Sequence, residues 1–250
     1  MKRSLISIIS ALVATALVVA AGGAFAAGGG GGGGTKVFGK GDDNLKPQCG
    51  PKPNDSCTAI GSGTVFTKQL GEKKDSFRAP SDGRIVAWAI ELGHKPSNKP
   101  PGGNPDAKSN LEFFQDLFGN EKYGKGPVAR LAILKRQGSG IEYKLVQQSP
   151  VVKLSGPFYH KDTVITLDQP LPIKKGEVVG LTSLTWIPTI RALGNGQGKA
   201  TYRLSLPKSS DCKTDAQIGA KPQKKVGSVR EYGCLYEKRR LFYKAWFVPN

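Results

Sequence analysis

The sequence predicts an all-β fold, an antiparallel, jelly-roll-like sandwich with one short helix in an insertion. Short apolar segments recur along the chain, and Gly- and Pro-rich turns separate them, which is typical of antiparallel sandwiches. Only one segment carries the start and stop signals of a helix. The 38% hydrophobic content, with 10 Phe, 7 Tyr and 3 Trp, is enough for a packed core and excludes wholesale disorder.

Residues 1–26 have the pattern of a signal peptide. Lys2 and Arg3 precede an apolar run over Leu5–Ala21, and Ala24-Phe25-Ala26 offers a small-x-small cleavage site. We expect cleavage after Ala26 and a secreted or extracellular protein, which leaves association with the cell envelope open. An uncleaved anchor is the alternative, but the apolar run is at the short limit for a spanning helix, and the small residues that follow it favour cleavage. After cleavage the sequence predicts no transmembrane segment.

The positive charge of the chain favours anionic partners. The full chain carries +18, and the chain after Ala26 carries +16, because Lys2 and Arg3 are the only charged residues before that point. Such an excess attracts polyanions, so an anionic extracellular polymer or a glycan is the expected partner. No groove-reading helix or RNA-binding motif accompanies the charge, and we therefore expect no specific nucleic acid. The sequence leaves the oligomeric state open.

The four cysteines, Cys49, Cys57, Cys212 and Cys234, all follow the signal segment. An even number in an exported chain predicts two disulfides. Among the three possible connectivities we favour Cys49 with Cys57 and Cys212 with Cys234, because each pair brackets a segment rich in Gly, Pro and Lys. Zinc is the competing interpretation, but it requires close Cys or His pairs that the sequence lacks.

The predicted organisation after the signal has two parts. Residues 27–61 form a flexible tether, which includes seven consecutive glycines at Gly28–Gly34 and the Cys49/Cys57 loop. Residues 62–250 form the β-sandwich domain. It contains an insertion at residues 93–127 and a disulfide-stapled C-terminal segment at residues 207–250.

The first predicted strands lie on either side of a turn at Pro80–Gly83. Gly63–Leu70 and Ser76–Ala79 precede the turn, and Arg84–Leu92 follows it. Residues of both parities in Arg84–Leu92 are apolar, so this strand is expected to be central and covered on both sides. Further strands are predicted at Val128–Lys135, Ile141–Gln148, Val151–Leu154, Thr163–Leu167, Glu177–Leu184, Thr201–Leu206 and Leu235–Val248.

One helix is predicted at Asn110–Phe118 within the insertion. Ser109 and Glu112 have the spacing of a capping box, and Gly119 supplies a stop. The apolar side chains at helical spacing are Phe113, Phe114, Leu117 and Phe118. We expect them to pack on the end of the sandwich, with binding of a partner as the alternative.

Two segments together resemble a known group of proteins. Ala79–Trp88 reads APSDGRIVAW, and Leu171–Leu181 reads LPIKKGEVVGL. They resemble the APxDGxIxxW and LPVKxGDxIGL strands of exported actinobacterial β-sandwich proteins of unassigned function. The resemblance covers roughly residues 63–206, and the insertion and the tail from residue 212 depart from it. Because both segments are turn and strand chemistry, the resemblance implies a fold rather than an activity.

Within the second of these segments two glycines have predicted roles. Gly176 follows Lys175 and turns the chain before the apolar strand. Gly180 interrupts that strand, which indicates either a bulge or a close approach of another backbone.

The sequence offers few residues for catalysis or metal binding. Its two histidines, His94 and His160, accompany none of the hydrolase, metalloprotease, Walker or dinucleotide motifs. His160 lies two residues before Asp162, a spacing more typical of a surface contact than of a catalytic pair. The segment 41–44 is acidic but lacks the Asp-x-Asp-x-Asp spacing of a calcium loop. We therefore expect no catalytic residues, no cofactor and no metal.

The candidate binding residues are Arg240, Phe242, Lys244 and Trp246. Within Leu235–Val248 the apolar face consists of the odd positions Leu241, Tyr243, Ala245 and Phe247. The even positions, which also include Lys238, alternate cations with aromatic rings. Such a face suits a sugar ring or a polyanion. The alternative is that the two aromatic rings are buried under another sheet while the cations reach solvent at its rim.

We therefore expect a non-catalytic exported protein with a binding or structural role at the cell exterior. A secreted polysaccharide hydrolase is the alternative, because sequence alone does not exclude two inward carboxylates. A concave pocket with paired carboxylates would favour the hydrolase. A flat cationic and aromatic surface would favour the binding protein.

Overall fold

The computed structural model describes residues 34–41 and 44–250, and these form an antiparallel β-sandwich with short helices. The predicted fold class is confirmed. The predicted signal peptide, the glycines at 28–33, and Asp42 and Asp43 of the acidic segment lie outside the described residues. No helix in the described part of the chain is long and apolar enough to cross a membrane.

The strands are β1 Lys36–Phe38, β2 Gly63–Leu70, β3 Lys73–Lys74, β4 Gly83–Ile90, β5 Val128–Arg136, β6 Glu142–Gln148, β7 Val152–Lys153, β8 Thr163–Ile173, β9 Val178–Ser183, β10 Ile190–Ala192, β11 Ala200–Leu204, β12 Val229–Glu231, β13 Cys234–Glu237, β14 Arg239–Leu241 and β15 Tyr243–Pro249. The helices are α1 Asn110–Phe118 and α2 Thr214–Ile218, with 3₁₀ turns at Pro101–Gly103 and Gly156–Phe158.

Two sheets make the sandwich, and a two-stranded sheet accompanies them. The smaller main sheet has the order β1-β15-β4-β8, and the larger runs β12-β6-β5-β9-β2-β11-β13, with β3 on β2 and β7 on β5. β10 and β14 pair with each other. As predicted, β4 is central in its sheet, since β15 and β8 pair on its two sides.

Aromatic rings fill the core in two groups. In the first, the Phe66 ring lies 4.9 Å from Tyr143 and 5.5 Å from Tyr232, measured between ring centroids. In the second, Phe77 stacks on Tyr243 with centroids 4.3 Å apart. The Tyr243 hydroxyl donates to the Val179 carbonyl oxygen at 3.1 Å, so the buried phenol keeps a hydrogen bond.

The two segments that carry the sequence resemblance meet in the structure. The Lys175 amide donates to the Asp82 carboxylate at 2.7 Å, and the Gly176 amide donates to the Ala79 carbonyl at 2.9 Å. Gly176 has a φ of 84°, the left-handed conformation that a turn glycine supplies. The two turns therefore brace each other at one end of the sandwich.

Gly180 marks a close backbone approach rather than a bulge. Its strand pairs with β5 without a register shift across this residue. A Cβ atom at Gly180 would lie 2.8 Å from the Val65 carbonyl oxygen and 3.0 Å from Leu134 Cδ1. The strand needs glycine here because its neighbours leave no room for a side chain.

The helix and the disulfides agree with the sequence predictions. Helix α1 has the predicted bounds, and Ser109 and Glu112 form the capping box. The disulfides join Cys49 to Cys57 and Cys212 to Cys234. The insertion at residues 93–127 lies between β4 and β5.

Several predicted boundaries differ from the structure. The domain was expected to begin at residue 62, but β1 already pairs with β15, and Phe38 is buried against Phe77 and Phe247. This three-residue strand is too short to give a sequence signal. The predicted strand at Ser76–Ala79 is a turn with one isolated bridge at Arg78, and the paired residues are those of β3.

The predicted strand at Leu235–Val248 is three strands. Lys238 adopts a positive φ of 50° between β13 and β14, and the chain then crosses from the larger sheet to the smaller one. The alternation on the odd side is nevertheless correct, since Leu241, Tyr243, Ala245 and Phe247 are all buried. These odd-numbered positions stay buried because β15 continues the same alternation.

Candidate functional site

The four predicted binding residues, here called the C-terminal cluster, do not form one exposed face. Arg240 lies in β14 and is 5% exposed, and Phe242 follows it and is 7% exposed. The Arg240 guanidinium carbon lies 4.5 Å from the centroid of the Phe242 ring, in a cation–π contact. Lys244 and Trp246 are half-buried residues of β15.

Three of the four residues line a small pocket, here called the cluster pocket. Its volume is about 190 Å³, and its charged lining residues are Arg240, Lys244, Lys46, Glu91 and Asp162. Trp246 is not part of the lining. This volume lies below the range of about 300–1,000 Å³ that is usual for small-molecule sites.

Carboxylates accompany the cations of the cluster pocket. Lys244 Nζ lies 2.6 Å from Asp162 Oδ2, and Lys46 Nζ lies 3.1 Å from Glu91 Oε1. Each lysine is paired with a carboxylate of the protein, so it attracts an anion from solution less strongly. Phe242 is buried, as in the alternative interpretation, but Trp246 is only half-buried and Arg240 is buried rather than at a solvent-exposed rim.

A second region offers cations without carboxylates. The basic groove, with a volume of about 610 Å³, lies between the end of α1 and the loop at residues 218–230. Among the described residues, its lining contains no Asp or Glu. Its charged lining residues are Lys221, Lys224, Lys225 and Arg230, and Leu117 and Phe118 of α1 form an apolar side.

A buried glutamine positions the lysines of the basic groove. Gln223 is 1% exposed; its backbone N–H donates to Thr64 Oγ1 at 2.9 Å, and its side-chain oxygen accepts from the Tyr232 hydroxyl at 2.8 Å. Because Gln223 points into the core, Lys221, Lys224 and Lys225 remain exposed around it. The Lys224 carbonyl also accepts from Arg130 Nη2 at 3.3 Å, so the loop backbone is tied down at two points.

The aromatic groove, with a volume of about 660 Å³, is lined by Leu111 and Gln115 of α1. Its rings are Tyr123, Tyr159 and Trp186, and its cations are Lys95, Lys125 and Lys153, again without a carboxylate among the described lining residues. Burial raises the pKa of Tyr159 to about 12, so its phenol is neutral near pH 7.

Helix α1 forms a wall of both grooves and is held by one aromatic stack. Phe114 is 7% exposed, and its ring stacks on Trp186 with centroids 5.2 Å apart. The Trp186 indole N–H donates to the Lys125 carbonyl at 2.8 Å. Phe113 and Leu117 remain exposed, so among these three side chains only Phe114 packs on the sandwich as predicted.

The two grooves adjoin at Tyr123. Lys224 Nζ, from the basic groove, lies 5.7 Å from the centroid of the Tyr123 ring, and Lys122 Nζ lies 5.6 Å from it. The arrangement continues a band of cations from one groove to the other. It can accept a chain-like anion whose sugar or apolar faces meet the aromatic rings.

Sequence reasoning missed this region because its residues come from separated segments. Lys224 and Lys225 form a charge run that is typical of a solvated loop tip. The signal that could have indicated a site is Pro222-Gln223 within a basic loop, since a glutamine beside buried proline can hold the loop against the core. Only contact with α1, more than 100 residues earlier in the chain, makes it a groove wall.

The residues considered for catalysis and metal binding contact other partners than a catalytic pair would require. The Asp162 carboxylate accepts from Lys244 rather than from His160, and His160 instead contacts His94. Within residues 34–41 and 44–250 there is no cluster of three or more His, Cys, Asp or Glu side chains arranged to hold a metal.

Comparison of the chain with protein-family profiles, curated proteins and solved structures finds no match. The resemblance to exported actinobacterial β-sandwich proteins therefore stays a prediction.

Proposed function

We propose that this protein is an exported, non-catalytic binding protein that associates with anionic polymers of the cell exterior through the basic groove. The observation that carries this proposal is the acid-free lining of the groove, in which Lys221, Lys224, Lys225 and Arg230 surround about 610 Å³. A concave surface lined by one sign of charge concentrates field lines and raises the local concentration of the opposite ion.

The adjoining aromatic groove supports an anionic glycan over other polyanions. Tyr123 and Tyr159 give partly exposed aromatic rings beside Lys95, Lys125 and Lys153. Trp186 is buried and stacks on Phe114, so it supports the groove without presenting a free face. Sugar rings stack on partly exposed aromatic rings, whereas their carboxylate or sulfate groups pair with the lysines. Together the grooves offer a track longer than one sugar unit.

Export is supported by two independent features. The sequence begins with a predicted signal peptide, and both disulfides form in the structure. Disulfides are typical of proteins that fold in an oxidising compartment. Membership of the group with the APxDGxIxxW segment is part of the same proposal, because that group is also exported and sandwich-folded.

A binding experiment with matched charge variants tests the proposal. The ligands are polygalacturonate and dextran sulfate, with neutral dextran as control, at about 0.05 M and about 1 M salt, where the Debye length falls from above 10 Å to about 3 Å. We expect binding of the anionic polymers at low salt and loss of most of it at high salt. The variant Lys221→Ala/Lys224→Ala/Lys225→Ala should weaken binding at low salt at least about tenfold.

The matched control is Lys73→Ala/Lys74→Ala/Lys174→Ala, which removes the same charge from other exposed positions. We expect it to weaken binding less than about threefold, because these lysines lie outside both grooves. Equal losses in both variants would show that net charge, and not the groove, drives binding. Absence of binding to either anionic polymer at low salt would refute the proposal, and release of reducing ends from polygalacturonate would establish the hydrolase instead.

A further inference from the structure

The two histidines of the chain, 66 residues apart, meet at the surface. The His160 ring contacts the His94 ring through their Nε2 atoms, with ring centroids 3.5 Å apart and planes at 71°. His160 is exposed and His94 is half-buried. Solvent therefore reaches the point where the two nitrogens face each other.

Backbone hydrogen bonds fix both histidines in place. The His94 amide donates to the Cys49 carbonyl at 2.8 Å, and the His160 amide donates to the Leu92 carbonyl at 2.9 Å. Cys49 is held by its disulfide to Cys57, and Leu92 forms a bridge with Tyr159. The contact thus joins two tethered loops rather than two loose side chains.

We infer that His94 and His160 form a two-imidazole site for a late first-row divalent cation, with Cu²⁺ the tightest binder and water completing the coordination. Imidazole nitrogen suits copper, nickel and zinc, and affinity among these ions peaks at Cu²⁺. Two converging Nε2 atoms provide the bidentate part of such a site. Metal binding needs both Nε2 lone pairs, so the ring that donates in the metal-free contact carries its proton on Nδ1 instead.

The ligand atoms disfavour hard cations. His94 and His160 offer only imidazole nitrogen, a ligand that late first-row ions prefer. Ca²⁺ and Mg²⁺ take oxygen ligands, which the two imidazole rings do not supply.

The site is separate from the basic groove. Lys95 and Tyr159, the neighbours of the two histidines in sequence, line the aromatic groove, whereas the histidines themselves do not. The inference therefore stands on its own geometry and does not depend on polymer binding.

The test is titration of the mature, disulfide-bonded chain, prepared without a polyhistidine tag, with Cu²⁺ in a glycine metal buffer. Isothermal calorimetry gives the affinity, and electron paramagnetic resonance reports the number of coordinated nitrogens. We expect one Cu²⁺ per chain with two imidazole nitrogens. The variants His94→Gln and His160→Asn should each lower the affinity at least about tenfold and remove one nitrogen from the spectrum.

Asn is chosen at position 160 because His160 has a φ of 62°, a conformation that Asn tolerates. Thermal melts verify folding, and Lys161→Ala is the matched control that should leave the Cu²⁺ affinity within about twofold, because it removes no ligand. No saturable Cu²⁺ binding by the wild type would overturn the inference. So would a double variant, His94→Gln/His160→Asn, that binds Cu²⁺ with unchanged affinity and an unchanged spectrum.

Discussion

The cluster pocket and the basic groove hold similar numbers of cations but differ in how those cations are balanced. In the cluster pocket, Lys46 and Lys244 each pair with a carboxylate, and the pocket measures about 190 Å³. In the basic groove no carboxylate lies among the described lining residues, and the groove is about three times larger. We therefore expect a basic, aromatic sequence pattern to bind anions only where the fold places no carboxylates beside the cations.

The largest expected effect is on the stability of the protein and concerns α1, which lines both grooves. Phe114→Ala removes the ring that stacks on Trp186 and should lower the free energy of unfolding by about 3 kcal/mol. Phe113→Ala, on the same helix, removes an exposed ring and should change it by less than about 0.5 kcal/mol. Urea unfolding of both variants measures the difference. Equal stabilities would show that α1 is not anchored through this stack, and the groove walls would then lose their support.

The next effect compares one residue from each region. For a polyanion, Lys224→Ala should reduce the slope of log affinity against log salt by about one, because one cation no longer releases a counterion. Trp246→Ala should leave the slope unchanged, since Trp246 lies outside both grooves. Affinity measurements at four salt concentrations give the slopes. The opposite result would return the binding site to the C-terminal cluster, as the sequence pattern suggested.

A smaller effect tests whether carboxylates silence the C-terminal cluster. Asp162→Asn removes the partner that lies 2.6 Å from Lys244 Nζ. Polyanion affinity at low salt should rise about two- to fivefold, as expected for release of a surface ion pair. Asp106→Asn, an equal charge change at an exposed position of the insertion, is the control. If the two variants gain equally, the ion pair is not what weakens the cluster.

The smallest effect concerns the wall of the aromatic groove at high pH. Burial raises the pKa of Tyr159 to about 12, above the value near 10 of an unfolded tyrosine. Its contribution to stability is therefore full below about pH 10 and is lost as the pH rises toward 12. Denaturant unfolding should show that Tyr159→Phe loses less stability than the wild type between about pH 9.5 and about pH 11.5. Equal losses would place this phenol in a solvated environment, unlike the groove wall described here.

Local sequence patterns predicted much of the fold. Helix α1 follows from the capping box of Ser109 and Glu112, because cap chemistry and helical periodicity act over a few residues. Strand β2 has the predicted bounds for the same reason, since alternation and flanking turns are local. The pairing of Cys212 with Cys234 and of Cys49 with Cys57 was predicted because each pair brackets a local segment rich in Gly, Pro and Lys.

Elements that depend on distant partners escaped the sequence. Strand β1 has only three residues and forms because β15, more than 200 residues later, presents an open edge to it. Leu235–Val248 reads as one alternating strand, yet it divides where the chain crosses between sheets at Lys238. Neither event leaves a local signal, because both depend on which strands are already neighbours.

Local sequence patterns specify an all-β sandwich, its helix, its disulfides and a strong excess of positive charge. The positions at which that charge stays unopposed depend on contacts between distant residues. Asp162 meets Lys244 across 82 residues, Lys224 joins α1 at the basic groove, and His94 meets His160. Electrostatic attraction and metal ligation act over a few ångströms in space, whereas a sequence pattern orders residues only along the chain.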